Sequence, residues 1–150
     1  GTGSTLDPLS TDTTAPASLV KLAIPVNGTV TKKFGWVADA TTGIKRYHEG
    51  IDIKAPEKSK VSSILDGKVT KLGEDPDLGK YIIITHDGDL VSLYGQLAQV
   101  NVKQSELVKA GDVIGLVGKT GTASEPHLHL EIREKGEAID PWLKLSKEGI

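Results

Sequence analysis

Three of the four histidines in this chain fall into two short groups. The first group is His48-Glu49-Gly50-Ile51-Asp52, and the second is Pro126-His127-Leu128-His129-Leu130-Glu131. Neutral imidazoles and carboxylates are the nitrogen and oxygen ligands of catalytic zinc, which keeps three protein ligands and one open position. A metal held this way is a Lewis acid beside an acidified water, so hydrolysis is the first chemistry to consider. The groups lie far apart along the chain, and only folding can join them.

Strand geometry would serve such a site. Side chains two apart share a face of a strand. His127 and His129 then project together, as do His48 and Asp52. Leu128, Leu130 and Ile132 alternate with the second group and could face a core. On a helix, His127 and His129 would diverge. A single histidine of this kind is more often a packed or surface residue than a ligand. Two groups with same-face spacing shift the balance toward a site.

The elements that must position these residues read as short strands. The 150 residues suit one domain with a real core. A formal net charge of -2, with Lys and Arg spread along the chain, gives no footprint for nucleic acid or an anionic membrane. No apolar run approaches the ~20 residues of a membrane span, and no signal peptide is evident. The absence of cysteine excludes disulfides, thiol nucleophiles and thiolate metal sites. Residues 1–18, rich in Thr, Ser, Pro and Gly, read as a flexible linker or expression remnant that could tether residues 19–150 to something upstream.

From Leu22 the pattern predicts strands at Leu22–Val26, Thr29–Trp36 and Ile51–Ile53, with a polar loop over 37–47. Asp66-Gly67, between Val61–Leu65 and Lys68–Leu72, predicts a tight hairpin, and so does Asp87-Gly88, between Tyr81–Thr85 and Leu90–Tyr94. Glu74–Gly79 reads as a turn-rich loop. Further strands are expected at Val113–Val117 and Leu128–Arg133, with a turn at Lys135-Gly136. Pro141 can start a short helix through Leu145, and Gln104–Val108 gives a faint helical signal. The fold class implied is all-β, antiparallel, with few short helices.

His48-x-Gly50-Ile51-Asp52-Ile53, Asp66-Gly67-x-Val69, Val108-x-x-Gly111-Asp112-x-Ile114-Gly115, Gly118-x-Thr120-Gly121, His127-Leu128-His129-Leu130-Glu131-Ile132 and Asp140-Pro141 follow one another in this order. This series, running from about Pro25 to Trp142, resembles the lysostaphin/LytM-type zinc endopeptidases. The resemblance implies a compact β-sheet domain and zinc ligands at His48, Asp52 and His129. It gives His127 a catalytic role beside the metal-bound water, with bacterial cell-wall peptides as substrates in an extracytoplasmic setting.

The sequence departs from the family at one position. The family's Tyr-x-His-Leu motif supplies a second catalytic histidine, and here it reads Tyr94-Gly95-Gln96-Leu97. A carboxamide donates and accepts hydrogen bonds but shuttles no proton near neutral pH. General acid–base catalysis is worth roughly 10²–10⁴-fold, so the expectation is a retained metal site with impaired hydrolysis. Two alternatives stay open: an active peptidoglycan endopeptidase, and a non-catalytic scaffold in a division or sporulation complex that binds a cell-envelope protein.

Other residues have blander readings. His86, beside Asp87-Gly88, reads as a turn or surface residue. Glu131 could orient a histidine or pair with a surface cation, and Glu49 reads as solvated. Tyr47 and Tyr94 could line a groove or anchor in the core. Gly118-Lys119-Thr120-Gly121 lacks the first glycine of a phosphate loop. The glycine pattern around Val108–Gly115 also looks like lipoyl or biotinyl carrier domains, but the carrier lysine context is missing and the paired histidines would go unexplained.

Overall fold

Alternation along one strand sets the architecture. In His127-Leu128-His129-Leu130-Glu131-Ile132, the leucines and Ile132 are fully buried among other apolar side chains, while the histidines and Glu131 take the other face. In Ile51-Asp52-Ile53 the isoleucines are fully buried and Asp52 lies on the polar face. A period of two therefore divides core from site in both segments.

The computed structural model describes residues 22–120 and 125–145. The predicted linker over 1–18 and Gly121 lie outside them. Twelve strands follow in chain order: β1 (Thr29–Lys32), β2 (Gly35–Ala38), β3 (Lys45–His48), β4 (Ile51–Lys54), β5 (Lys60–Ser62), β6 (Gly67–Asp75), β7 (Gly79–Thr85), β8 (Leu90–Val100), β9 (Leu107–Val108), β10 (Val113–Val117), β11 (His127–Glu134) and β12 (Glu137–Ile139). One short helix, α1 (Pro141–Leu145), follows them, and the Asp140 carboxylate accepts the Trp142 amide at its start.

The main sheet runs β1-β4-β11-β8-β7-β6-β9, with β10 joining β5 to β8 and β12 paired to β11. Every strand pair is antiparallel. β2 and β3 form a separate hairpin. The architecture is the expected all-β, antiparallel one. One contiguous core joins Ile51, Ile53, Ile82, Ile84, Tyr94, Leu97, Ile114, Leu128, Leu130 and Ile132. Among the described residues, no helix is long and apolar enough to cross a membrane.

The Asp87-Gly88 hairpin forms as predicted and joins β7 to β8. The strands over Ile51–Ile53, Val113–Val117 and Leu128–Arg133, the Lys135-Gly136 turn and the terminal helix also match. Several local expectations are overturned. Asp66-Gly67 makes no hairpin, because β5 pairs with β10 whereas β6 pairs with β7 and β9. Gly67 is required for close approach instead: a Cβ there would lie 2.6 Å from the Thr85 carbonyl and 2.7 Å from His86 Nδ1.

Thr29–Trp36 is not one strand. Gly35, at φ +101°, turns the chain out of the main sheet, so β1 stays beside β4 while β2 leaves to pair with β3. The predicted loop over 37–47 thus holds the end of β2 and most of β3. Its turn is closed by Asp39 Oδ1, which accepts the Thr41 and Thr42 amides at 2.8 Å each. Leu22–Val26 is not a strand, since Pro25 has no amide to donate to a ladder. The faint helical signal at Gln104–Val108 resolves into a turn and β9. β6 extends to Asp75, which shortens the expected loop before β7.

Candidate metal centre

Three adjacent ladders bring the two sequence groups together. Asp52 on β4 stands opposite His129 on β11, and His129 stands opposite Gly95 on β8. His48 closes β3 directly before the chain re-enters as β4. His48, Asp52 and His129 can each offer one ligand atom, and those atoms all lie within 4.8 Å of one another. The partly exposed His127 points its Nε2 at Asp52 Oδ2, 3.6 Å away. All four residues converge on the polar face of the sheet.

The hydrogen bonds orient each ring. His48 Nδ1 lies 3.0 Å from the Lys33 carbonyl and His127 Nδ1 lies 2.9 Å from the Glu125 carbonyl. A carbonyl only accepts, so each Nδ1 donates to it, and each Nε2 is left facing the Asp52 carboxylate. His129 has the reverse arrangement: Nε2 contacts Glu131 Oε2 at 3.0 Å and Nδ1 contacts Asp52 Oδ1 at 2.9 Å. A carboxylate behind a ligating imidazole is a recurrent support of metal sites. His48 Nε2 lies 3.4 Å from Asp52 Oδ1. Zinc ligands at about 2.0–2.1 Å in a tetrahedron stand ~3.3–3.5 Å apart. The donor set and its spacing therefore suit a small divalent ion.

Electrostatics point the same way. Burial pushes Asp52 up, but hydrogen bonds from His129 and His48 and the nearby histidine charges outweigh it and hold the carboxyl well below its usual range. Burial pushes His129 down, but hydrogen bonds to Asp52 and Glu131 win and raise it to about 9. Without metal, the His129 imidazolium fills the place of a cation between two carboxylates. Burial also raises Glu131, yet His129 and then Arg133 bring it below its ordinary value.

Arg133 Nη2 donates to both Glu131 Oε1 and Glu49 Oε1 at 2.9 Å. Both readings of Glu131 thus hold at once, since it pairs with a histidine and with an arginine. Glu49 is half exposed but anchored by Arg133 rather than merely solvated. Sequence reading missed Arg133; the i+2 spacing from Glu131 in a strand was the available signal.

Gln96 is 5% exposed and sits at φ +65°. The β7–β8 register slips between Lys80↔Leu97 and Ile82↔Tyr94, so Gln96 lies in a bulge that re-aims its side chain. Its Nε2 donates to the Asp77 carbonyl at 2.8 Å, its amide nitrogen donates to Leu78, and its carbonyl accepts from Gly118. Its buried Oε1 has no partner among the described residues.

His86 lies outside this cluster and is buried, not a surface turn residue. Its Nδ1 donates to the Asp66 carbonyl and its Nε2 contacts Ser92 Oγ, each at 2.8 Å. Ser92 continues to the Tyr94 hydroxyl, which accepts the Ile64 amide at 3.0 Å. Tyr94 is therefore a core anchor. Tyr47, half exposed, packs edge-on against Phe34 and Trp36 beside His48.

Residues 46–141 match peptidase family M23. The chain is 34% identical over 112 residues to the DD-carboxypeptidase/endopeptidase Mpg of Neisseria meningitidis, covering 75% of this chain and 26% of that protein. It is 34% identical over 141 residues to the murein hydrolase activator NlpD of Salmonella typhimurium, covering 93% of this chain and 35% of that protein. The chain thus spans about a quarter to a third of the length of these curated relatives.

Among solved structures, a zinc-containing peptidase from Vibrio cholerae superimposes at a TM-score of 0.70 with 33% identity, over 77% of this chain and 37% of that one. The catalytic domain of lysostaphin from Staphylococcus simulans gives 0.71 and 28%, over 79% and 92%. A chain of the SpoIIQ–SpoIIIAH pore-forming complex gives 0.72 and 31%, over 86% and 96%. With most of the antiparallel core and every residue of the polar cluster inside the matched region, this chain belongs to peptidase family M23.

Proposed function

We propose that this domain holds zinc through His48, Asp52 and His129, binds bacterial cell-wall peptides outside the cytoplasm, and hydrolyses them poorly because Gln96 stands where a second catalytic histidine would act. One observation carries the reading. The metal-capable trio is complete and its rings are oriented, while the amide of Gln96 is committed to the Asp77 carbonyl. A zinc ion bound there would supply Lewis acidity to a carbonyl and acidify a water.

His127, with Nδ1 tied to Glu125 and Nε2 facing the cluster, can accept a proton as the base. Peptide cleavage also needs a proton returned to the departing amine. Gln96 can accept a hydrogen bond at Oε1 but has no titratable proton to give. His127 would have to serve both steps. Turnover would then fall while the peptide and the metal are still held.

A second reading is a scaffold that binds a cell-envelope protein. The likeness to a chain of the SpoIIQ–SpoIIIAH complex and to an activator of murein hydrolases favours it. The likeness to Mpg favours the third reading, an active endopeptidase. Zinc-loaded protein incubated with cell-wall peptides and assayed for new amine termini separates the three. Little cleavage by the native chain and a gain of ~10²-fold or more in Gln96→His is the expected result. Robust cleavage by the native chain overturns the impairment. Failure to retain any peptide, with a protein partner captured instead, favours the scaffold.

A further inference from the structure

Two cations flank the metal-capable cluster without a salt bridge among the described residues, and they do so by strand register. In the β2–β3 hairpin, Gly35 stands opposite His48 and Val37 opposite Arg46. Residues directly opposite in an antiparallel pair share a face. Arg46 therefore projects on the face of His48, two residues or about 7 Å along β3. Trp36 and Tyr47 occupy the other face.

On the far side, Lys32 in β1 stands opposite Asp52 in β4. The row Lys32, Asp52, His129, Gly95 crosses four strands on one face. Among the described residues, neither Lys32 nor Arg46 makes an ion pair within 4.0 Å.

Both cations line one cavity of about 360 Å³ that opens onto His48. Its apolar walls include Val37 and Ile44. Among the described residues of its lining Asp39 is the one acidic group; its carboxylate accepts the Thr41 and Thr42 amides and also feels the Arg46 charge, from beyond ion-pair distance. The remaining charge balance is positive, on the β2–β3 hairpin and β1 beside the metal-capable cluster. An arginine fork matches a carboxylate with two parallel hydrogen bonds.

We infer that this cavity is a carboxylate subsite, in which Arg46, assisted by Lys32, holds a carboxylate of a bound peptide about one dipeptide away from the metal-facing bond. The inference rests on the cell-wall peptide reading above and adds a charge requirement to it. A neutral peptide of the same length would lose the Arg46 contact, and Arg46 becomes a specificity-determining residue.

The test is a binding titration with zinc-loaded protein and four synthetic forms of one cell-wall stem peptide. Its side-chain and C-terminal carboxylates are free, amidated singly, or both amidated. Native protein should bind the form with both carboxylates free at least about tenfold tighter than the doubly amidated form, and the singly amidated forms identify which carboxylate is read. Arg46→Gln should erase most of that preference while leaving zinc content and thermal unfolding unchanged, and Lys32→Gln should reduce it by a smaller factor.

Equal binding of all four forms would overturn the subsite alone. A preference that survives Arg46→Gln but vanishes on zinc removal would place the carboxylate on the metal and also overturn it. No binding of any form would overturn the cell-wall peptide reading together with the subsite.

Discussion

His129 and His86 are the two buried histidines of this fold, at 9% and 6% exposure, and they behave oppositely. Both pay a desolvation penalty for carrying charge. His86 faces a carbonyl and a hydroxyl, which do not offset that penalty, and burial keeps its pKa below the ordinary histidine value despite the Asp66 carbonyl and the Asp66 and Asp87 charges. His129 faces two carboxylates, and its pKa rises to about 9. Burial alone therefore does not mark a functional histidine. The partners do: a neutral polar relay makes a structural histidine, whereas a carboxylate pair makes a place for a cation.

Substitution gives the largest break in that contrast. His129→Ala should weaken zinc binding by more than ~100-fold, whereas His86→Ala should leave zinc stoichiometry intact and cost about 2–3 kcal/mol of stability by stranding Ser92 and opening a void. Metal analysis and denaturant unfolding check the two halves. Zinc loss in both variants would erase the distinction.

Glu131→Gln sharpens the comparison by making the surroundings of His129 more like those of His86. It should weaken zinc binding by ~10–100-fold and bring the metal-free His129 pKa down from about 9, read by NMR titration. An unchanged pKa would mean that Asp52 alone sets it.

The pH dependence of the metal-free protein should show both histidines with opposite slopes. Between the unfolded value of 6.5 and about 9, folded His129 binds a proton that the unfolded chain has lost. Its stabilisation is full below 6.5 and disappears as pH rises through 9. Folded His86 resists the proton that the unfolded chain takes up below 6.5, so its neutral burial costs stability as pH falls below that value. Unfolding midpoints from about pH 5 to about pH 10 should thus fall on both sides. The acid arm should flatten in His86→Ala and the alkaline arm on zinc addition, because metal replaces the proton on the inner nitrogen.

The smallest effect belongs to the relay itself. Ser92→Ala leaves His86 Nε2 and the Tyr94 hydroxyl each short of a partner and should cost about 1–2 kcal/mol, with no change in zinc affinity. A shift in metal binding would mean that the two neighbourhoods are coupled through β8.

The residues that became legible early are those governed by period two. His127, His129, Glu131 and their alternating leucines announce a strand with one wet and one dry face; His48 and Asp52 do not share a strand as that rule predicts, because a bend at Glu49-Gly50 places them on β3 and β4 in different sheets. Asp87-Gly88 was readable because its flanking segments pair with each other. Asp66-Gly67 carries the same local signal and fails, since β5 finds β10 more than 45 residues away. Nothing local distinguishes the two dipeptides. His86 was misread for a related reason, because the Asp66 carbonyl that bonds it comes from a remote turn, while Ser92 reaches it across its own hairpin.

The sequence by itself determined which side chains could chelate, that no thiol or disulfide takes part, and that a carboxamide stands at position 96. Those facts are properties of residue identity and spacing. Only the tertiary structure decided that Asp52 and His129 face each other across one ladder, that Glu131 and Arg133 stand behind the ring, that a bulge turns Gln96 toward Asp77, and that Lys32 and Arg46 border the same cavity. Each of these depends on strand register between distant segments, which is fixed by the shared burial of Ile51, Ile53, Leu128 and Leu130 and is not written in either segment alone.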